Sequence, residues 1–147
     1  MKVEILTLCD YANTDIASGK LHIIGSFDHM FSSQEPIIHL NCAVAAKLRF
    51  ERGEEGQKRF SFTFIDADGH PVLPNMNVPL NVQFPPNEPT TIVPLSVIIQ
   101  QIRLPHFGEY SIGVAIDGRV EASVPLYVRQ VQLPPQFLPG QPQQPPQ

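Results

Sequence analysis

Five histidines, His22, His29, His39, His70 and His106, are the first candidates for metal or proton-transfer chemistry, since imidazole ligates transition metals and titrates near neutrality. No two of them lie two, three or four residues apart, the spacing that sets two rings on one ion in a zinc ribbon or a zinc-binding helix. Surface and turn positions account for them. Asp66 and Asp68 with Gly69 match the opening of a calcium loop, but the downstream oxygen donors and the bidentate glutamate are missing, which leaves an aspartate-glycine turn. A looser metal arrangement would draw Asp10, Asp15, Asp66, Asp68 and Asp117 together from separate end loops. Convergence of these with the histidines would make a metal-assisted hydrolase, and that is one alternative to the reading adopted below.

The nucleophile candidates are Cys9 and Cys42, each in an apolar-alternating run. A reactive thiolate needs a nearby histidine or positive charge, whereas Cys9 is followed by Asp10, which opposes ionisation. Both read as buried free thiols. The chain has no Gly-x-Ser-x-Gly elbow, no Walker loop and no dinucleotide fingerprint. Glu54 and Glu55 sit beside Arg52, Lys58 and Arg59 and read as a solvated, self-compensating loop. No catalytic residue, no cofactor and no metal ligand is therefore assigned.

The elements that carry these residues are strands. Short runs of period two, each ended by Gly, Pro, Asn or Asp, fill the chain from Lys2 to about Val131, and no window offers a helical stripe. Ile37 to Phe50 reads as one long strand with Cys42, Val44, Ala46, Leu48 and Phe50 inward. Phe60, Phe62 and Phe64 return in strict alternation, so these two runs are expected to form a hairpin. Ile112, Val114 and Ile116 lead to an Asp117-Gly118 turn, after which Val124, Leu126 and Val128 resume the period. Pro94 lies inside the run Thr91 to Leu104, which implies an edge or a bulge where no ladder N–H is needed. The expected fold is all-β: an antiparallel Greek-key β-sandwich, immunoglobulin-like, of seven to nine strands over residues 1–131. Residues 132–147 are Pro/Gln-rich and are expected to form a disordered tail, with two P-x-x-P matches at Pro139 to Pro145.

For the first hairpin, placing Val3 beside Phe27 and Asp10 beside Lys20 puts Val3, Ile5, Cys9, Leu21, Ile23 and Phe27 on the inner face. Leu6, Leu8 and Ile24 then lie outside, as an interface patch or under the Pro71 to Pro74 crossover. A net charge of −4 with 16% charged residues works against binding to phosphate backbones or anionic lipid, so neither nucleic acid nor membrane is an expected partner. The amino-terminal run has no secretory core, and no stretch reaches membrane-spanning length.

Several local signatures together carry a resemblance: Leu8-Cys9-Asp10, Gly19-Lys20-Leu21, Ile24-Gly25-Ser26-Phe27-Asp28, Asp66-Ala67-Asp68-Gly69, the run from Leu104 to Tyr110, and Val124-Pro125-Leu126-Tyr127-Val128. Over residues 1 to about 130 the chain resembles a family of short uncharacterised bacterial proteins, a domain of unknown function predicted to be a β-sandwich. The resemblance implies a bacterial, cytoplasmic, single-domain protein and transfers no site. The function expected is a non-catalytic protein-interaction or ligand-binding module. Its partner would be an unidentified protein or a second copy, and a structural subunit of a larger assembly is the other alternative.

Overall fold

The computed structural model describes residues 1–132. The tail expected over 132–147, with its P-x-x-P matches, lies apart from Gln132 outside the described residues. Among the described residues there is no helix, hence none long and apolar enough to cross a membrane. Eleven strands form: β1 Lys2–Thr14, β2 Leu21–Phe27, β3 His29–Ser32, β4 Ile37–His39, β5 Cys42–Glu51, β6 Gly56–Asp66, β7 Met76–Val82, β8 Thr90–Ile99, β9 Ile102–Leu104, β10 Gly108–Ile116 and β11 Arg119–Gln130. They make a four-stranded sheet in the order β2-β1-β5-β8, a five-stranded sheet in the order β3-β11-β10-β6-β7, and a β4-β9 ribbon.

One core lies between the two larger sheets. Val44, Leu48 and Phe50 of β5 meet Phe60, Phe62 and Phe64 of β6, with Ile112, Val114, Leu126 and Val128 from β10 and β11. Phe60 and Phe62 pack edge to face, their ring centroids 4.6 Å apart. Each buried phenylalanine contributes on the order of 1.5–3 kcal/mol. The expected hairpin between the Ile37 to Phe50 run and the phenylalanine row is corrected here. β5 and β6 belong to opposite sheets, so their alternating side chains meet across the core instead of along one ladder. Period two fixes which face is apolar and leaves the strand's neighbour open.

The strand count exceeds seven to nine for a specific reason. The Ile37 to Phe50 run breaks at Leu40-Asn41 and the Thr91 to Leu104 run breaks at Gln100-Gln101. These breaks lie opposite one another. Cys42 pairs Ile99 on one side of the gap and His39 pairs Ile102 on the other, with a single register running through both. A long antiparallel pair therefore bends at one level, and its far end, β4-β9, places Ile37, Ile102 and Leu104 in the core. The other difference is that β3 forms where no strand was expected.

The first hairpin is also corrected. Leu8 stands opposite Phe27 and Thr14 opposite Leu21, a slip of five residues from the expected pairing. An odd slip exchanges the two faces. Its partner irregularity is a bulge between Val3 and Ile5 in the pairing with β5, so Val3, Leu6 and Leu8 all point to the core. Leu8 is 1% exposed. Beyond Asp10 the hairpin curls over the back of the four-stranded sheet: Ala12, Leu21 and Ile23 cover Cys9, Ala43 and Ala45, a second small cluster. Gly25 sits at this bend with a φ of +69°, a backbone conformation that favours glycine.

Two of the four sheet borders carry a proline at mid-strand, Pro94 of β8 opposite Lys47 and Pro79 of β7 opposite Arg59. At the β10-β11 turn Asp117 and Gly118 have φ of +50° and +83°, the two-residue turn that matches strand twist.

A candidate binding groove beside strand β3

The chain passes from β2 in one sheet to β3 in the other through Asp28, and this crossing leaves an open side between the two sheets. A groove of about 460 Å³ occupies it, walled by Phe27, Phe31, Ile38 and His39 and floored by Met30 and Ile37. Met30 and Ile37 are buried in the core, whereas Phe31 is 62% and Ile38 53% exposed. Phe31 lines the groove at the β3 edge, with its ring beside His29 on the outer face of the sheet, and exposed Ile38 lines it from the other side. The rings of Phe27 and His39 lie 5.9 Å apart along one wall.

Strand β3 supplies more than side chains. It runs parallel to β11, pairing His29 with Tyr127 and Ser32 with Gln130, and ends its sheet. The Asp28 carbonyl accepts from Tyr127 N–H at 2.8 Å and the Ser32 carbonyl from Val131 N–H at 2.9 Å. Residues 28, 30 and 32 therefore address β11, and by alternation the backbone N–H and C=O of His29 and Phe31 face the free border. On the outer face of the same sheet His29 stacks on Phe31 at 6.0 Å and meets Tyr127 at 5.1 Å, with the Arg129 guanidinium 5.2 Å from the Tyr127 ring. His29 Nδ1 lies 2.6 Å from Asp28 Oδ1, which fixes the imidazole.

The loop after β3 is tied down from the far side. Phe107 N–H donates to Glu35 Oε1 at 2.9 Å, and this bond first of all, followed by His106, holds the Glu35 carboxyl below its ordinary value. The His106 loop is held in turn by Tyr110, whose hydroxyl donates to the His106 carbonyl at 2.7 Å and accepts from His106 N–H at 3.3 Å. Burial raises the Tyr110 phenol, keeping it a neutral donor.

Of the three residues expected as an outer patch, only Ile24 is well exposed, at 62%. Leu6 is partly buried against the core and Leu8 lies within it, so the patch does not form. The Pro71 to Pro74 crossover does not cover them either: Val72 N–H bonds the Phe64 carbonyl, which places that segment on β6. Among the described residues the one group of three ligand-type side chains is Asp66, Asp68 and His70. Asp66 Oδ1 already accepts from the N–H groups of Asp68 at 2.9 Å and His70 at 2.8 Å, the latter bond chief among those that lower the Asp66 carboxyl. This is turn geometry. Asp117 bonds Arg59 N–H at 2.8 Å, seven residues along β6 from Asp66, a strand length of about 23 Å. Asp15 accepts from Ser18 Oγ at 2.7 Å, and Asp10 lines the groove instead. The end-loop aspartates do not converge.

Cys9 and Cys42 are free and buried, on opposite faces of the four-stranded sheet, Cys42 in the main core and Cys9 in the small cluster. Burial pushes the Cys42 thiol up to about 11, with Cys9 and Asp10 adding to it. Glu54 binds the amino-terminal ammonium at 2.7 Å and caps Glu51 N–H at 2.7 Å, a structural tie in place of a solvated tip. The groove itself was not foreseen. Phe31 and Ile38 flank a turn with Pro36, a signal too weak to read without the crossover that brings both to one side.

The profile of a family of unknown function (DUF6941) matches residues 4–129. No curated protein matches the chain. Among solved structures it is similar to the alkylpurine DNA glycosylase AlkC of Pseudomonas fluorescens bound to DNA containing an abasic site analogue, at 10% identity and a TM-score of 0.44, over 87% of this chain and 30% of that one. It is similar to a beta-glucuronidase of glycoside hydrolase family 2 at 17% identity and a TM-score of 0.40, over 65% of this chain and 10% of that one. An immunoglobulin-like protein from Pseudomonas aeruginosa gives 13% identity and a TM-score of 0.39, over 87% of this chain and 95% of that one. The chain spans less than a third of the first two.

Proposed function

From its place in this family of unknown function, to which the chain belongs over residues 4–129, we propose that it is a non-catalytic protein-interaction module that takes an extended segment of a partner protein into the groove beside β3. The observation that carries the reading is the pairing of exposed Phe31 and Ile38, across an apolar floor, with a strand border whose His29 and Phe31 backbone groups are free. Strand addition supplies main-chain hydrogen bonds, and side-chain pockets between such walls supply selectivity. The finer fold belongs to the same proposal: an immunoglobulin-like Greek-key sandwich. It is supported by the sheet crossings from β5 to β6 and from β8 to β10, by the parallel β3-β11 pairing, and by the bonding of Tyr110 back to residue 106 at the start of β10. Two thiols held apart fit a reducing, cytoplasmic setting, which we include in the proposal.

Panning a random-peptide display library against the purified chain tests the function. Enriched peptides with an aromatic or aliphatic anchor, binding at least tenfold more weakly to the folded Phe31→Ser/Ile38→Ser variant, are the expected result. Failure to enrich, or equal binding to both proteins, overturns the proposal.

A further inference from the structure

One residue lining the groove has no partner among the described residues. Asp10 stands opposite Gly25 in the first hairpin, between the pairs Cys9 with Ser26 and Tyr11 with Ile24, and both line the groove. Its carboxylate lies over Gly25, in the space that a side chain at that position would enter. Among the described residues the exposed Asp10 carboxylate takes part in no ion pair and accepts no hydrogen bond, whereas nearby Asp28 is held by His29 Nδ1 at 2.6 Å. No Lys or Arg lines the groove. We propose that the partner segment taken into this groove is basic: it carries a Lys or Arg two residues from its apolar anchor, and that cationic head pairs with Asp10.

Strand geometry sets the spacing. The rings of His29 and Phe31 stack on the outer face of their sheet, while Met30 between them is buried in the core. A residue of an added strand opposite Met30 therefore faces inward, and the next inward residue follows two positions away, about 6.6 Å along. The first takes the apolar floor of Met30 and Ile37, and the second reaches the wall where Asp10 and Gly25 stand. Chemistry selects Lys or Arg for the second position. Its methylenes lie along Phe27 while its charged head stays in water beside Asp10. A carboxylate with both oxygens unpaired also accepts the two parallel N–H groups that Arg offers. An acidic residue there would meet Asp10 with no lysine or arginine in the lining to offset the repulsion. Of the two histidines in the lining, His29 is engaged by Asp28 and His39 packs beside Phe27. The net charge of −4 adds a longer-range attraction for a basic segment. The inference rests on the groove being a peptide site, as proposed above.

The test uses the full chain and peptides enriched from the random display library. These are expected to carry Lys or Arg two positions from an aromatic or aliphatic residue. Asp10→Asn should weaken them by about three- to fivefold in low salt, the upper range for an exposed ion pair. The loss should vanish at about 1 M salt, where charges are screened within about 3 Å. Replacing the peptide's basic residue by Gln should cost the same on the native chain and nothing on the Asp10→Asn chain, the signature of a direct pair. Asp68→Asn, which removes the same charge from a turn outside the groove, should leave the affinity unchanged. Enriched peptides without a basic residue, equal binding to the Asp10→Asn chain, or an equal loss from Asp68→Asn each overturn the inference. In those cases a continuing need for Phe31 and Ile38 leaves the groove reading standing, whereas a library that enriches nothing removes both.

Discussion

Replacing Tyr110 by Phe removes one oxygen atom and should loosen the wall of the groove from a distance. The ring is 3% exposed and packs near Phe64, so Phe refills the space without a cavity. What is lost is the bond donated to the His106 carbonyl at 2.7 Å and the weaker one accepted from His106 N–H at 3.3 Å. A buried hydrogen bond contributes about 0.5–1.5 kcal/mol net, and His106 is exposed enough for water to take over in part. The two bonds together therefore predict a destabilisation of about 1–2 kcal/mol, measured by urea unfolding followed by far-UV circular dichroism. Tyr11→Phe, at an exposed position, is the control and should leave the midpoint unchanged. Because the His106 loop bonds Glu35, the same variant should weaken binding of groove-selected peptides by a few-fold. A Tyr110→Phe change below about 0.3 kcal/mol would show that the hydroxyl does not hold the loop, and the chain of contacts from Tyr110 to the groove would fail with it.

Leu8→Ser should cost several kcal/mol, since it empties a core position and buries a hydroxyl, while Ile24→Ser should stay within about 0.5 kcal/mol. Equal effects in thermal melts would restore the register in which both face outward. Acid should destabilise the fold through Glu4, Asp15, Glu35, Glu54 and Asp66, lowered first by Arg49, Ser18, Phe107 N–H, Glu51 N–H and His70 N–H respectively. Each folded carboxyl binds its proton less readily than the unfolded one, so the stabilisation is complete above the ordinary 4.5 of Glu and 3.8 of Asp and is lost as pH falls through the lower folded values. A urea midpoint that stays constant from pH 5 to pH 3 would contradict this.

The class of fold was legible because Leu48, Phe50, Phe60, Phe62 and Phe64 stand at alternate positions flanked almost throughout by polar residues, and period two survives any choice of neighbour. Partnership was not legible. The 37–50 and 91–104 runs were read as continuous strands, and their common register shows why: only tertiary bending at Leu40-Asn41 opposite Gln100-Gln101 divides them. The first hairpin failed on the bulge between Val3 and Ile5, one residue that moves Leu8 from an outer face to the core. The groove depends on a crossing between sheets at Asp28, and nothing local in His29 to His39 encodes where the opposite wall will stand.

The prolines of β7 and β8 bear on growth into fibres. A protein built of sheets with open borders can polymerise by stacking border on border, copy after copy, and a missing N–H in the middle of a border interrupts that stack. Pro79 and Pro94 do so on the flank formed by β7 and β8, while β2 and β3 on the other flank contain no proline. With two of its four large-sheet borders interrupted, the molecule has fewer routes by which border-on-border stacking can propagate. Removing both prolines would open the β7 and β8 borders as well, and the concentration at which the chain precipitates would fall.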